Sequence, residues 1–408
     1  MDRNSPICSD EATRRPTSVE ANLSPAPVTM LYSYRFWTGA AEPALTLARD
    51  LASAGHEVEL ALDGRRPGNI RERAERLGLA RIEGMSCSTH ALPWQSLWDV
   101  LILRRRLLDR EPSIVHSHMT HDHWLAVAAL RGRKMAGHRL IRSIHLARSI
   151  EDSAWRRRLM RTCDGLIVGV QAHREILVRH HGIDPARVAL VHGAVDGARF
   201  SPGADGPEFR RRHQVPIDAP LVLMLARFQP HRQHRTLIEA FSRVRHAFPT
   251  ALLALAGRGE HEAELRAAAS RLVEPNSVRF VGYVPSDQLP SAYRAADVAV
   301  WLAPGSDATC RGMLEALACE RPMVLGHDGA MADALAAAEC GIGVDWRSPE
   351  SIATAIAALL GDPARRRACG RAGRELVLSR HTAEARLEAV ERFYERVLEL
   401  PTTRGGRR

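Results

Sequence analysis

The chain has 408 residues, of which 45% are hydrophobic and 25% are charged, values that predict two globular domains with sizeable cores. No apolar run reaches the roughly 18 residues that a membrane-spanning helix needs, and the first residues contain no apolar stretch typical of a secretory signal. The net charge of +10 is compatible with nucleic acid, an anionic membrane or an anionic substrate, but no RNA-binding aromatic motif or zinc-finger spacing favours nucleic acid.

Predicted strands and helices alternate along the first half of the chain. Residues 1–27, rich in Ser, Pro, Arg and Glu, are predicted to be a disordered extension. A helix predicted at 41–54 ends at Gly55, in the manner of a C-cap glycine. The strands predicted in this half lie at 28–34, 57–62, 113–116, 139–144, 165–170 and 188–191. Strands separated by helices indicate β-α-β units, so we expect residues 28–200 to form a Rossmann-like domain with a parallel sheet.

A second alternating series follows a turn-rich segment. Residues 201–220 contain Pro and Gly at short intervals and are predicted to be a linker. The strands predicted after them lie at 221–225, 251–256, 278–281, 298–302, 323–325 and 342–344. We expect a second Rossmann-like domain over 221–380 and a C-terminal helix, 381–400, that crosses back to the first domain. The expected fold class is α/β, with two doubly wound domains facing a cleft that binds the ligand.

Two arginines follow the first strand of the second series. Arg227 and Arg232 lie in the turn before a predicted helix at 236–247. Helix N-terminal amides and guanidinium groups both favour phosphate oxygens, and a separation of five residues lets both arginines reach one diphosphate. An ordinary basic helix start fits the same residues equally well.

Two carboxylates follow a later strand of the same series. Asp307 is predicted to lie in a loop, and Glu315 about one turn into the next helix. Carboxylates accept paired hydrogen bonds from vicinal hydroxyls, so this spacing lets one face a sugar and the other a ribose. The alternative for Glu315 is an exposed glutamate on a helix.

Histidines are concentrated after the strand at 113–116. His116, His118, His121 and His123 form a short tract of a kind that binds zinc in some proteins. Because the tract starts at a strand end and continues into a helix, we expect its rings to point in several directions. We therefore interpret these histidines as cleft-lining or structural residues and expect no metal site.

In order and spacing, the basic and acidic segments resemble the retaining glycosyltransferases of the GT-B fold, in particular glycosyltransferase family 4 (glycosyl transferases group 1). That family has a Gly-Arg-x-x-x-x-Lys-Gly segment, and an acidic residue separated by seven residues from a Glu. Arg227 matches the family arginine, and Arg232 falls where the lysine is expected. Asp307 and Glu315 match the acidic pair, and the resemblance covers roughly residues 28–395.

The resemblance implies a role for each matched position. Arg227 and Arg232 would bind the donor diphosphate. The residues expected to be catalytic are Asp307, Glu315 and His145, with Glu315 also holding the ribose and Asp307 the transferred sugar. The other expected positions are Ala308, Thr309 and Cys310 for the donor sugar, Gly282, Tyr283 and Val284 for the nucleotide base, and Gly39 and Ala40 for the acceptor or cleft loop.

The resemblance also implies an activity. It is the metal-independent transfer of a hexose-like sugar, with retention, from a UDP- or GDP-linked donor to a glycan or lipid-linked acceptor. The expected role is lipopolysaccharide, polysaccharide or glycolipid synthesis, without any cofactor. The alternatives are a nucleotide-sugar 2-epimerase of the GT-B fold and a non-catalytic sugar-nucleotide-binding partner protein.

Two features concern the location of the protein. The seven cysteines show no C-x-x-C spacing and no export signal accompanies them, which together indicate the reducing cytoplasm. Residues 94–110 combine apolar side chains with the run Arg104, Arg105 and Arg106. This segment fits either peripheral contact with the inner face of an anionic membrane or a domain helix with a basic outer face.

Overall fold

The computed structural model describes residues 25–36, 41–63, 67–145, 147–151, 153–302, 311–327 and 338–403. The chain forms two parallel sheets, one in each half, and both are covered by helices. On the first strand of the second sheet, Leu221 and Leu223 belong to one hydrophobic cluster, and Val222 and Met224 belong to another. The strand is therefore buried on both faces, which explains its continuous apolar sequence.

Within the described residues, the first sheet has seven parallel strands in the order β3-β2-β1-β4-β5-β6-β7. These are β1 Val28–Tyr32, β2 Val58–Leu62, β3 Ala80–Arg81, β4 Ile114–Ser117, β5 Arg139–Ile144, β6 Gly165–Val168 and β7 Val188–Leu190. The helices of this half are α1 Ala41–Ser53, α2 Ile70–Arg76, α3 Pro93–Leu108, α4 Thr120–Ala129, α5 Ala154–Met160 and α6 Gln171–Glu175.

The second sheet, counted over the same described ranges, has six parallel strands in the order β10-β9-β8-β11-β12-β13. These are β8 Leu221–Leu225, β9 Leu252–Ala256, β10 Val278–Gly282, β11 Val298–Trp301, β12 Met323–Gly326 and β13 Gly341–Val344. The helices are α7 Gly206–Arg212, α8 His234–Ala247, α9 Glu262–Leu272, α10 Leu289–Ala295, α11 Arg311–Ala318, α12 Pro349–Gly361, α13 Pro363–Arg380 and α14 Ala383–Glu399.

Each sheet has a point where its strand order reverses. In the first sheet the reversal falls between β1 and β4, and in the second it falls between β8 and β11. Loops that leave the carboxyl ends of the two strands at such a point diverge and leave a crevice, which is where doubly wound sheets bind ligands. In the second sheet, the basic and acidic segments follow the two strands that flank this crevice.

The last helix, α14, lies against the first sheet. Its Phe393 and Val397 pack on Gly165 of β6, where an added Cβ would come within 2.8 Å of both side chains. Arg386 donates a 2.7 Å hydrogen bond to Asp50 of α1, and both side chains are buried. The chain therefore crosses from the second half back to the first through α13 and α14.

Several features differ from the sequence-based expectation. The first strand is shorter than the predicted 28–34, and the two-residue strand β3 was not predicted. The predicted linker, 201–220, contains α7. Pro207 fits the first turn of a helix, and Phe209 and Arg210 form the buried side of this helix. Within the described residues, no helix is long and apolar enough to cross a membrane.

The outer face of α3 differs from the basic outer face that was one of the two interpretations of this segment. Its exposed side chains are mainly apolar, with Trp94, Leu97, Trp98 and Leu101 each 47–65% exposed. Within the arginine run, Arg104 is half-buried, while the exposed Arg106 pairs with Glu59 of β2. The arginine run is therefore only partly on the outside of the helix.

Candidate active site

The basic segment forms a compact turn after β8. A short 3-10 turn, Pro230–Arg232, leads into α8, and Gln233 between them has a positive φ of 63°. This left-handed conformation favours glycine, the residue that the family pattern has here, and Gln233 adopts it at a cost of order 1 kcal/mol. Arg227 has an exposed side chain at the start of the turn. The turn thus has Gln233 in a conformation that glycine adopts more readily.

Close backbone packing supports the Arg227 loop from the side of β9. Gly257 has a φ of +148°, and an added Cβ would lie 2.0 Å from the carbonyl oxygen of Ala226. At Gly259, a Cβ would lie 2.3 Å from the carbonyl oxygen of Phe228. The Phe228 amide donates to the carbonyl of Arg258 at 3.1 Å. The glycines after β9 therefore allow the two loops to touch and fix where Arg227 leaves the sheet.

Arg232 connects the basic turn to the neighbouring strand β11. Its guanidinium carbon lies 5.2 Å from the ring centroid of Trp301, the last residue of that strand. On α11, Gly312 lies so close to Trp301 that an added Cβ would come within 2.8 Å of the indole ring. Trp301 thus lies between the basic turn and the start of α11, and the structure brings these two segments together.

Glu315 is buried, in contrast to the alternative of an exposed helical glutamate. Its side chain lies on the buried face of α11, and the residue is only 3% exposed. Its Oε1 accepts a hydrogen bond from Arg311 Nε at 2.7 Å, and its Oε2 accepts one from the Tyr293 hydroxyl at 3.1 Å. Burial raises the pKa of the Glu315 carboxyl, although Arg311 and the hydrogen bonds act in the opposite direction. Each carboxylate oxygen retains a second acceptor position for a ligand hydroxyl.

Arg311 links the two halves of the protein. Besides Glu315, its guanidinium contacts Glu42 of α1, with Nη1 and Oε2 2.7 Å apart. Tyr293 completes the group, and burial and the nearby Glu315 carboxylate raise the pKa of its hydroxyl, which keeps it a neutral donor. Sequence reasoning missed Glu42, Tyr293 and Arg311. The i, i+4 spacing of Arg311 and Glu315 was the only available signal.

His145 directly follows β5, an interior strand of the first sheet, and lies at the carboxyl end of that strand. Its Nε2 is 3.1 Å from Nδ1 of His118, so one ring donates a hydrogen bond to the other. The two rings are stacked, with centroids 5.4 Å apart. Together with Ser143, His192 and Arg386 they line a small cavity between the sheet and α14. Burial lowers the pKa of His118 well below its usual value, so this ring is neutral at neutral pH.

His116, from the same tract, extends this stack, because its ring centroid lies 4.4 Å from that of His118. His116 contacts the Tyr394 hydroxyl at 2.6 Å and the Ser143 hydroxyl at 2.8 Å. His123, on α4, contacts the Thr162 hydroxyl at 3.2 Å. Among the residues that the structure describes, no group of three His, Cys, Asp or Glu side chains is arranged to hold a metal ion.

The positions expected to contact the nucleotide base lie at the end of β10. Gly282 has a positive φ of 76°, and its carbonyl accepts a hydrogen bond from Gly257 at 2.8 Å. Tyr283 is 64% exposed, with the Arg258 guanidinium 6.0 Å from its ring centroid, whereas Val284 is buried. This edge therefore adjoins the Arg227 loop through Gly257. The other expected positions, Gly39, Ala40, Asp307, Ala308, Thr309 and Cys310, lie outside the described residues.

The fold and the arrangement of these segments define the GT-B class of glycosyltransferases. A family model described as Glycosyltransferase Family 4 matches residues 37–199, and one described as Glycosyl transferases group 1 matches residues 205–376. The chain therefore belongs to the GT-B glycosyltransferases of the family 4 type. This confirms the fold class and the family that the sequence motifs predicted.

Individual relatives agree with this assignment. The chain is 33% identical over 190 residues to a GDP-mannose-dependent alpha-(1-6)-phosphatidylinositol monomannoside mannosyltransferase of Mycolicibacterium smegmatis, a match that covers 45% of this chain and 50% of that protein. It is 26% identical to a D-inositol 3-phosphate glycosyltransferase of Corynebacterium glutamicum, over 78% of this chain and 82% of that one. The structure of Anabaena HepE in complex with UDP-glucose has the same fold, with a TM-score of 0.74 at 16% identity over 92% of this chain and 100% of that chain.

Proposed function

We propose that the protein transfers a sugar from a nucleotide-diphosphate donor to an acceptor hydroxyl, with retention of configuration at the anomeric carbon. The observation that carries the proposal is the contact between Arg232 and Trp301. This contact brings the basic turn after β8 next to the end of β11, and Trp301 also contacts Gly312 at the start of α11. The two segments thereby flank the crevice where the strand order reverses, and α11 carries Glu315 beside it.

The charges around this crevice fit a diphosphate leaving group. Arg227 and Arg232 lie before α8, whose free N-terminal amides also favour anions. Guanidinium groups at this point would stabilise the negative charge that develops on the departing diphosphate, the role that a metal ion has in other transferases. We propose that they do so here, and that transfer continues in the presence of a metal chelator.

The remaining contacts follow the family pattern. We propose that Glu315 accepts hydrogen bonds from the ribose and that Asp307 contacts the sugar. His145 then lies on the facing sheet, beside the cavity at the carboxyl ends of its strands. In this arrangement the acceptor hydroxyl attacks the anomeric carbon from the side on which the diphosphate leaves, and the leaving phosphate takes the hydroxyl proton. No residue has to form a covalent intermediate.

The relatives suggest which donors and acceptors to test. One is named for GDP-mannose and a phosphatidylinositol mannoside, another for D-inositol 3-phosphate, and the HepE structure contains UDP-glucose. We propose a UDP- or GDP-linked hexose as donor. As acceptor we propose a phosphate-bearing or lipid-linked polyol or glycan, a class that includes glycolipid and lipopolysaccharide acceptors.

A thermal-shift screen against UDP, GDP, ADP and their sugars tests the donor site. A nucleotide at about a hundred times its Kd stabilises the native state by about 2.7 kcal/mol, which raises Tm by several degrees. We expect Arg227→Ala to weaken binding of that nucleotide at least about tenfold, because a charge-assisted hydrogen bond contributes about 1.5–3 kcal/mol. The matched control is Arg235→Ala, since Arg235 lies in the first turn of α8 and pairs with Glu239.

Product analysis then separates the possible reactions. With the nucleotide sugar and acceptor, we expect a glycoside that keeps the donor's anomeric configuration, as read from NMR coupling constants. Epimerisation of the donor when it is supplied alone would contradict the transferase proposal. So would equal nucleotide affinity in the Arg227→Ala and Arg235→Ala proteins.

A further inference from the structure

Helix α3 has a second apolar face that no part of the protein covers within the described structure. Trp94 is 65% exposed, Leu97 60%, Trp98 58%, and Leu101 and Leu108 47% each. These positions, together with Arg105, recur at intervals of three and four residues and form one stripe along the helix. The stripe is about 20 Å long at a rise of 1.5 Å per residue. A helix on the surface of a soluble domain normally presents polar side chains on this side.

The face that packs on the domain lies on the opposite side of α3. Leu103 and Leu107 are fully buried there. Asp99, the one acidic residue of this helix, is also buried and accepts hydrogen bonds from the amides of Ser86 and Cys87 at 2.6 and 2.8 Å. The exposed stripe is therefore not a misplaced core face, because the domain already holds α3 by its other side.

The only charge within the exposed stripe of α3 is positive. Arg105 lies among its leucines and tryptophans and is itself exposed. At the edge of the stripe, the Arg104 guanidinium donates to the carbonyls of Ala129 and Arg131 at 2.9 and 2.6 Å. Apolar side chains interspersed with arginine match an anionic lipid surface better than an acidic or mixed-charge protein surface.

A second aromatic and basic surface adjoins the stripe. Trp124 and Trp155 are 41% and 52% exposed, and their ring centroids lie 5.4 Å apart. They line a groove with Arg131 and Arg158, next to the carbonyl that Arg104 binds. Tryptophan is enriched at the level of lipid headgroups, where its ring contacts acyl chains and its N–H contacts polar groups. Two neighbouring tryptophan pairs with arginines therefore point to the same kind of surface.

The stripe begins near the edge of the sheet that faces the cleft. Asp99 fixes Cys87, and the Cys87 thiol lies beside the backbone of Tyr32, the last residue of β1. The N-terminal half of α3, with both exposed tryptophans, thus adjoins the carboxyl ends of the first-sheet strands. A surface bound along α3 would lie beside the entrance to the cleft.

We propose that the outer face of α3 docks the protein on a bilayer that contains anionic lipids. Trp94, Leu97, Trp98 and Leu101 insert at the headgroup level, and Arg105 contacts lipid phosphates. The helix lies in the plane of the surface and is held by apolar burial together with charge attraction. This interaction does not require donor or acceptor, so it stands independently of the proposed sugar transfer.

Vesicle co-sedimentation of the full chain tests the proposal. The vesicles are phosphatidylcholine alone, or phosphatidylcholine with about a third phosphatidylglycerol, at low and at physiological salt. We expect binding to the anionic vesicles, with a blue shift of tryptophan emission. The double variant Trp94→Ser, Trp98→Ser should lower the vesicle partition coefficient by about tenfold or more, since two exposed indoles no longer enter the apolar layer.

Ile217→Ser is the matched control, because Ile217 is 65% exposed and lies in the other half of the chain. We expect it to bind vesicles like the unaltered protein, and circular dichroism should show that all three proteins are folded. Equal partitioning of the double variant and the control would overturn the proposal. So would failure of the unaltered protein to bind anionic vesicles at low salt. A lipid-free dimer that the double variant abolishes would instead assign the stripe to a second copy of the chain.

Discussion

At the scale of single residues, the position of Arg227 depends on a residue that carries no functional group. Gly257 adopts a φ of +148°, and any Cβ there would come within 2.0 Å of the Ala226 carbonyl oxygen. Two separate effects therefore exclude a side chain: the backbone conformation and the contact with the neighbouring loop. Ala226 directly precedes Arg227, so the contact sets the path of the proposed diphosphate loop.

We predict that Gly257→Ala lowers the free energy of unfolding by at least about 2 kcal/mol more than Gly55→Ala. Gly55 also has a positive φ, of 96°, but nothing lies within 4 Å of its added Cβ. The control thus carries the conformational cost alone, and the difference measures the clash. Urea denaturation of both variants gives the two values. Equal losses would show that the loops separate freely and that Gly257 does not position Arg227.

Glu315 shows what a sequence pattern does and does not contain. Its distance from Asp307 and its place after a strand could be read from the sequence and led to the correct family. Its burial could not, because it depends on Tyr293, 22 residues earlier, and through Arg311 on Glu42 of α1 in the other half of the chain. An i, i+4 pair predicts a surface salt bridge on a helix. Only the packing of α10 and α1 makes this pair part of an interior network.

At the scale of elements, strands were predicted well where both faces of the sheet are covered. Continuous apolar runs such as Leu221–Leu225 identify such strands directly. The two-residue strand β3 has no such run, and α7 was hidden in a segment whose prolines and glycines are typical of turns. In α3, apolar residues lie on two opposite faces. Periodicity identifies a helix there but does not say which face meets the core.

Helix α14 is held on the first sheet partly by a buried histidine. His116 of β4 bonds to the Tyr394 hydroxyl of α14 and the Ser143 hydroxyl of β5. Burial, with a smaller contribution from His145, lowers the pKa of His116 to about 3. The ordinary pKa is 6.5, so between about pH 6.5 and 3 the unfolded chain binds a proton that the folded chain does not. Stability must therefore fall as the pH is lowered through this range.

We predict that His116→Gln reduces the slope of the unfolding free energy against pH between pH 6.5 and 4. The reduction relative to the unaltered protein should correspond to about one fewer proton taken up on unfolding. Urea titrations at several pH values measure this slope. The control is His90→Gln, since His90 is exposed and lies outside the contact between β4 and α14. An unchanged slope in His116→Gln would mean that His116 takes up its proton in the folded state. Other buried histidines keep the remaining slope positive.

At the scale of the whole molecule, an ion pair joins the proposed donor side to the other domain. Arg311 lies between Glu42 of α1 and Glu315 of α11, at 2.7 Å from each carboxylate. The cleft between the sheets can bind a donor only when the surfaces on both sides are correctly spaced. The Glu42–Arg311 pair is a direct link across that gap, and its side chains are 22% and 32% exposed, so its strength is moderate.

We predict that Glu42 and Arg311 are energetically coupled in nucleotide binding. In a double-mutant cycle of Glu42→Gln and Arg311→Gln, each single change should weaken binding of the nucleotide found in the donor screen, and the double variant should weaken it by less than the sum. We expect a coupling energy of about 0.5–1 kcal/mol, measured by titration calorimetry and reduced at high salt.

The control cycle uses Arg243 and Glu350, an exposed pair 3.6 Å apart whose two members both belong to the second domain. That pair does not span the cleft, so its cycle should show no coupling in nucleotide affinity. Additive effects at Glu42 and Arg311 would mean that the ion pair forms without influencing the cleft. Coupling confined to Glu42 and Arg311 requires donor binding to depend on contact between the domains. Arg311 would then transmit closure of the cleft to the Glu315 carboxylate.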